Sequence, residues 1–317
     1  MTMNLQDAAQ RRSQNIGRKP VGMAAVLLPF TESGEIAEDA YAACLRETVD
    51  AGLTPAVNMD TGYANLITDE EKARMLRIAS ETLAGKPFLA GAFIEGQHGE
   101  PAELYRRAIA PIAEVGGTPI LFQTTKTHGL PAQEVADIYH RATRDVSAAY
   151  AFELGRMFAP NGEIWSAETF EAILGVPQIK GAKHSSLDRV IEIGRLEIRD
   201  RVRPDFQVLT GNDLGIDMIE YGSDYLLGLA AFSPAKFAER DRLWADQSPD
   251  YFAVADALQL LGNIAFRPAV PAYKHSAAVF LHSLGKIPSS RTHPRSPERP
   301  SWEREILAEC AHRLGLA

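Results

Sequence analysis

The sequence predicts an α/β protein: a (β/α)8 TIM barrel with additional C-terminal helices. Three observations carry that expectation. Short β-rich runs bounded by Gly, Pro or Asn recur eight times along the chain. Seven of the eight are followed by segments with apolar residues at helical spacing. Strand starts recur roughly every 30 residues through the first seven, the length of one βα unit. Regular alternation makes the strands parallel, because each helix returns the chain to the same end of the sheet. An open doubly wound sheet is the structural competitor, but no G-x-G-x-x-G follows the first strand.

Taken in order, strands are expected at Met23–Leu28, Thr54–Asn58, Phe88–Ile94, Thr118–Phe122, Ala148–Leu154, Pro177–Lys183, Phe206–Leu209 and Tyr225–Leu229. The clearest amphipathic helices are Ala37–Ala51, Asp69–Ala84, Pro101–Val115 and Leu130–Arg144. Three further helical segments follow the eighth unit, near Tyr251–Ala265, Ala272–Leu284 and Trp302–Leu314. The Pro-, Arg- and Ser-rich stretch Pro288–Pro300 reads as a linker to the last of them. The chain thus divides into a polar N-terminal segment (1–20), the barrel (21–246) and a C-terminal helical extension packed on it (247–317).

Composition narrows the function. The 317 residues are 45% hydrophobic, enough for a large core, and the formal net charge is −8. An acidic balance leaves no basic face for nucleic acid and little attraction to an anionic membrane. No apolar run approaches the ~18 residues of a membrane span. The first 20 residues carry Arg11, Arg12, Arg18 and Lys19 without an apolar h-region, unlike a signal peptide. Cys44 and Cys310 are the only cysteines, so neither a disulfide framework nor a thiolate metal site is expected. These points together suggest a cytoplasmic protein whose partner is a small molecule.

Active sites of such barrels sit at the C-terminal ends of the strands. That rule selects Asp60, Thr61 and Gly62 after strand 2, Glu95 and His98 after strand 3, and Thr125 and His128 after strand 4. It also selects Phe152, Glu153 and Arg156 around strand 5, Lys183 and His184 on strand 6, and Gly211 and Asn212 after strand 7. Lys183 stands out. Alternation puts it on the face of Gly181, where a desolvated amine has a lowered pKa and can attack a carbonyl. The plainer alternative is an ammonium that snorkels to solvent or pairs with Glu153 or Asp213. Lys180 has the opposite facing.

Four segments then resemble the dihydrodipicolinate synthase / N-acetylneuraminate lyase family of class I aldolases, in the family's order, across roughly Met23 to Pro234. Pro177-Gln178-Ile179-Lys180-Gly181-Ala182-Lys183 resembles the strand-6 segment that ends in the Schiff-base lysine. Leu209-Thr210-Gly211-Asn212-Asp213, followed by Tyr221-Gly222, resembles the strand-7 segment. Pro29-Phe30 with Gly34 resembles the opening after strand 1, and Asp60-Thr61-Gly62 with Thr68-Asp69-Glu70-Glu71 the strand-2 loop and helix. Asp60 and Tyr63 stand where the family has a threonine and a glutamate, and a carboxylate at Asp60 repels a bound carboxylate at short range. The family's strand-5 tyrosine position falls on Phe152, with Tyr150 two residues earlier on the same strand face. Arg156 resembles the arginine that binds a distal carboxylate, with its spacing shifted by one residue.

The resemblance implies a Schiff-base lyase of aldolase or dehydratase/synthase type acting on a small carbonyl compound, with 2-oxo acids among the candidates. It implies Lys183 as nucleophile; His184, Tyr150, His128 and Glu153 are the groups available at the strand ends to move protons, a histidine suiting the task near neutral pH. Asp60, Thr61, Gly62, Thr125, Phe152, Glu153, Arg156, Gly211 and Asn212 are the candidate substrate contacts. It further implies a homo-oligomer (dimer or tetramer) with no cofactor and no metal; the departures argue against the lysine-pathway synthase itself. Two rival readings remain: a metal-dependent barrel with ligands from Asp60, Glu95, His98, His128 and Glu153, and a catalytically silent ligand-binding barrel.

Overall fold

The computed structural model describes residues 5–316. Eight parallel strands close in sequence order, β1 pairing with both β2 and β8. They are β1 (Gly22–Ala25), β2 (Thr54–Val57), β3 (Leu89–Ala92), β4 (Thr118–Phe122), β5 (Ala149–Leu154), β6 (Ile179–Ser185), β7 (Gln207–Thr210) and β8 (Asp224–Leu227). The period of two seen in the sequence sorts residues into two cores. Met23, Ile120, Phe122, Phe152, Leu209 and Leu226 fill the barrel interior. Their neighbours Ala24, Leu121, Ala151, Val208 and Leu227 pack outward against the helices.

Helix α1 (Leu5–Gln14) lies within the segment expected only to be polar. The guanidinium of Arg11 ties it to the β7–β8 connection by donating to the Tyr221 carbonyl at 2.7 Å. The barrel helices are α2 (Glu38–Asp50), α3 (Asp69–Leu83), α4 (Pro101–Glu114), α5 (Ala132–Thr143), α6 (Ala167–Leu174), α7 (Arg189–Val202) and α8 (Pro234–Ala245). Local chemistry fixes their starts: Thr68 and Glu71 form a reciprocal capping box on α3, and Asp188 accepts from Val190 and Ile191 to open α7. Between β7 and β8 a single 3₁₀ turn (Ile216–Tyr221) replaces the helix, which explains the short last repeat in the sequence.

Three helices complete the chain: α9 (Tyr251–Ala265), α10 (Tyr273–Ser283) and α11 (Glu303–Arg313). Helix α9 crosses the β7–α8 side so closely that a Cβ on Gly262 would lie 2.5 Å from the Asp213 carbonyl oxygen. Residues 288–300, expected as a linker, are a strap tied to loops that follow barrel strands. Ser289 Oγ donates to the Phe30 carbonyl, and His293 packs edge-on to Phe30 and beside Tyr63. Arg295 Nη2 donates to the Leu66 carbonyl at 2.6 Å. Cys44 and Cys310 are both free thiols. Among the described residues no helix is long and apolar enough to cross a membrane.

Candidate active site

Lys183 stands on β6 directly beside Phe152 of β5, and the two point into the barrel. Its Nζ lies 4.4 Å from the centroid of the Phe152 ring, which is itself packed on Phe122 at 5.0 Å. Burial pulls the Lys183 pKa below the ordinary lysine value, and the carboxylates of Asp213 and Asp60 oppose that shift without cancelling it. The side chain fits only because residue 211 is glycine. A Cβ there would fall 2.6 Å from Lys183 Cε and 2.1 Å from Ser185 Oγ. Lys180, by contrast, occupies a β-bulge between the Ala149–Ile179 and Tyr150–Gly181 pairs, and its ammonium caps the Pro177 carbonyl at 2.8 Å.

Asp213 is the acidic partner. It is 3% exposed and accepts a hydrogen bond of 2.7 Å from the Leu229 amide. Burial pushes its pKa up to about 7, against the opposing pull of Lys183 and of the Leu229 and Gly228 amides. A buried amine with a lowered pKa, coupled electrostatically to a carboxyl poised near neutrality, is an arrangement suited to nucleophilic addition with proton transfer. Ser185, on the same face as Lys183, has a buried hydroxyl with no partner in the protein.

Across the barrel mouth, the 3₁₀ turn Asp60–Gly62 meets α10. Asp60 Oδ2 accepts from the Tyr273 hydroxyl at 2.9 Å and from Lys274 Nζ at 3.0 Å. Tyr273 also lies 2.8 Å from Thr61 Oγ1. The charge at Asp60, which the sequence alone sets against a carboxylate ligand, is therefore offset by a buried ammonium. Gly62 is buried in the same turn. Tyr273 and Lys274 were not among the expected site residues, because barrel logic looks only at strand ends and these sit on an appended helix. An acid at position 60 was the one available signal, since a buried carboxylate calls for a cationic partner.

Several expected residues lie elsewhere. His184 and Glu153 are paired across β5 and β6 on the outer, helix-facing side, away from Lys183. His184 Nδ1 donates to Glu153 Oε1 at 2.5 Å, and Arg195 of α7 binds the same carboxylate at 3.1 and 3.2 Å. The correction has a simple cause: adjacent strand residues face opposite ways, so neighbours of a catalytic residue in sequence leave the site. Tyr150 does point inward, but one layer deeper. Its hydroxyl donates to Gln207 Oε1 at 2.5 Å on the barrel floor, and burial pushes its pKa up to about 12. Thr125 is exposed and serves Glu95, donating from its hydroxyl at 2.7 Å and its amide at 2.9 Å. Arg156 is exposed on the β5–α6 loop, and Asn212 turns its side chain to cap the Leu214 amide at 3.1 Å. The five proposed metal ligands are dispersed: Glu153 faces out, Asp60 holds Lys274, Glu95 holds Thr124 and Thr125, His128 faces Glu163 at 3.8 Å, and His98 is exposed. Among the described residues, no three His, Cys, Asp or Glu side chains are grouped to hold a metal ion.

A cavity of 220 Å³ opens above this site. Phe93, Phe122, Leu154 and Phe158 form its apolar wall, and Asp60, Gln123, Lys274, Arg295 and Ser296 its polar side. Lys183 lies one layer below, since Leu154 pairs with Ser185 and Phe152 with Lys183. Gln123 Nε2 and Ser296 Oγ are buried without a partner among the described residues, an arrangement that costs about 1–3 kcal/mol for each group left unsatisfied.

No protein-family model matches the chain, and no curated protein matches it in sequence. Its fold does have close counterparts. The dihydrodipicolinate synthase of Thermotoga maritima superposes with a TM-score of 0.80 over 94% of this chain and 99% of its own, at 18% identity. A prophage protein of the dihydrodipicolinic acid synthase family from E. coli K12, solved with pyruvate, gives 0.81 over 94% and 99% at 14% identity. The chloride-inhibited synthase of Acinetobacter baumannii, also solved with pyruvate, gives 0.78 over 94% and 100% at 16%. At such identities the likeness shows the fold, and it is the fold that the sequence motifs resemble.

Proposed function

We propose that this chain is a divergent member of the dihydrodipicolinate synthase / N-acetylneuraminate lyase family, a lyase that works through an imine on Lys183. The observation that carries the reading is the buried Lys183 amine, laid on Phe152 with its pKa lowered, within the electrostatic reach of an Asp213 carboxyl pushed up to about 7. The neutral amine adds to a substrate carbonyl carbon, and the carbinolamine loses water to give an imine. Once protonated, the imine accepts the electron pair of a breaking C–C bond, or of a C–H bond ahead of loss of water at the β-position. Asp213 is the group placed to carry protons, a task that Tyr150 and His184 cannot share from the floor and the outer face. The 2-oxo acids are the first substrates to test, because Lys274 and Tyr273 neutralise Asp60.

Borohydride reduction with pyruvate, read by intact mass on wild type and Lys183→Ala, tests the imine. A reduced adduct on wild type alone supports it. If no carbonyl compound gives an adduct, the reading is wrong and a silent ligand-binding barrel takes its place. The family resemblance implies a dimer or tetramer, an expectation to be checked by sedimentation.

The proton role has its own test. Asp213 acts as a base in its ionised form, so the rate of imine formation is expected to fall as pH drops through about 7. Lys183 and Asp213 titrate as a coupled pair, so the midpoint belongs to both. Asp213→Asn should slow the reaction on the order of 10²-fold or more and shift that acid limb, since the limb that remains is the protonation of the Lys183 amine alone. An unchanged limb in the variant would assign the proton to another group.

A further inference from the structure

The cavity over Lys183 is unbalanced in its chemistry. Its polar side holds two cations, Lys274 and Arg295, against one carboxylate, Asp60. Lys274 is 3% exposed and has only one hydrogen-bond partner, Asp60, for an ammonium with three N–H groups. Gln123 is 2% exposed. Its Oε1 is fixed by the amides of Leu154 at 3.1 Å and Glu163 at 3.2 Å, which leaves Nε2, a pure donor, with no partner. Ser296 of the strap is 8% exposed and its hydroxyl is equally without a partner. Asn65 and Asn161, also in the lining, each offer a donor and an acceptor, so what is in surplus is positive charge and the free N–H groups of Lys274 and Gln123, and the opposite wall is aromatic and aliphatic.

We propose that this cavity binds the remote carboxylate of a substrate several carbons long, and that the strap and α10 set this specificity. Lys274, Ser296 and Gln123 supply the hydrogen bonds and Arg295 adds charge at the rim. The carbon chain runs down the Phe93–Phe122 wall toward Lys183. A neutral ligand would leave the charge imbalance in place, whereas a carboxylate corrects both the charge and the donor surplus. The strap is thereby a binding element, held over the mouth by Arg295 on Leu66 and by Ser289 on Phe30. Arg156, exposed on its loop, is not needed for this role.

The inference extends the reading of the mouth as a substrate site, but its test avoids the imine. Glutarate and pentane-1,5-diol share a five-carbon chain, differ in carrying carboxylates or neutral hydroxyls, and have no ketone or aldehyde to react with Lys183. Calorimetry on the full chain is expected to show glutarate binding at least tenfold tighter than the diol. Ser296→Ala and Gln123→Glu should each abolish most of that difference. Gln123→Glu keeps the acceptor for both backbone amides and replaces the free donor by an oxygen. Ser296→Ala removes no bond present in the unliganded protein, so its melting temperature should not fall. Equal binding of glutarate and the diol, discrimination that survives both variants, or binding of a neutral polyol such as xylitol in preference to glutarate would each overturn the proposal. Glutarate selectivity without any borohydride adduct would leave the subsite standing and remove the imine. An adduct with pyruvate but no glutarate selectivity would do the reverse.

Discussion

Lys183→Met is expected to eliminate the borohydride-trapped adduct and to lower turnover of any substrate so identified by at least about 10⁴-fold, the scale on which covalent catalysts lose activity without their nucleophile. The fold should survive intact. Methionine follows the same path past Gly211 and over the Phe152 ring, and it removes an amine that burial makes costly to protonate. Circular dichroism and the melting temperature should therefore be unchanged or slightly improved while activity is gone. The informative failure would be an adduct that persists. Lys274 is the other buried lysine at the mouth, but its ammonium is engaged by Asp60 at 3.0 Å. Peptide mapping of a persisting adduct to Lys274 would move the nucleophile to α10 and require a different mechanism.

How far the sequence reaches can be argued from these same residues. The barrel was legible because its signals are local and repeated: each strand is a short β-rich run, and each helix carries its own period. Lys183 was legible because alternation along one strand places it with Gly181, and the structure keeps that facing. What the sequence could not show is how elements distant in the chain converge. Tyr273 and Lys274 reach Asp60 across more than 200 residues, and nothing local marks a Tyr-Lys pair on an appended helix as part of a barrel mouth. The strap is a similar case. Its Pro and Arg content signals irregular backbone, which a linker and a cover share equally. His184 and Glu153 were misplaced for the opposite reason, since closeness in sequence to Lys183 and to Phe152 was taken over the alternation that sends them outward.

That misplacement yields a second large effect, on stability rather than chemistry. Glu153 is fully buried beneath α7, where it accepts from His184 Nδ1, from Arg195 at two nitrogens, and from the Trp165 amide at 3.0 Å. Burial alone would raise its pKa, but His184 and Arg195 outweigh that and hold it below the ordinary carboxylate value. Arg195→Met should destabilise the protein by about 3–5 kcal/mol, because the carboxylate is left buried without its permanently charged partner. The double variant Arg195→Met/Glu153→Gln should recover much of that loss, since it removes the stranded charge and keeps an acceptor for the Trp165 amide. The pH dependence follows from the depressed pKa. Glu153's contribution is fully present above the unfolded carboxyl value, about 4.3, and is lost as pH falls through the lower folded value. Wild type should thus lose stability on acidification below about 4, and a Glu153→Gln variant should lose less of it over the same window. Denaturant titrations of the four forms at pH 7 and again near pH 4 measure both effects. If Glu153→Gln instead left stability untouched and stopped imine formation, the outer network would be part of the chemistry after all, and the assignment of proton transfer to Asp213 would fall with it.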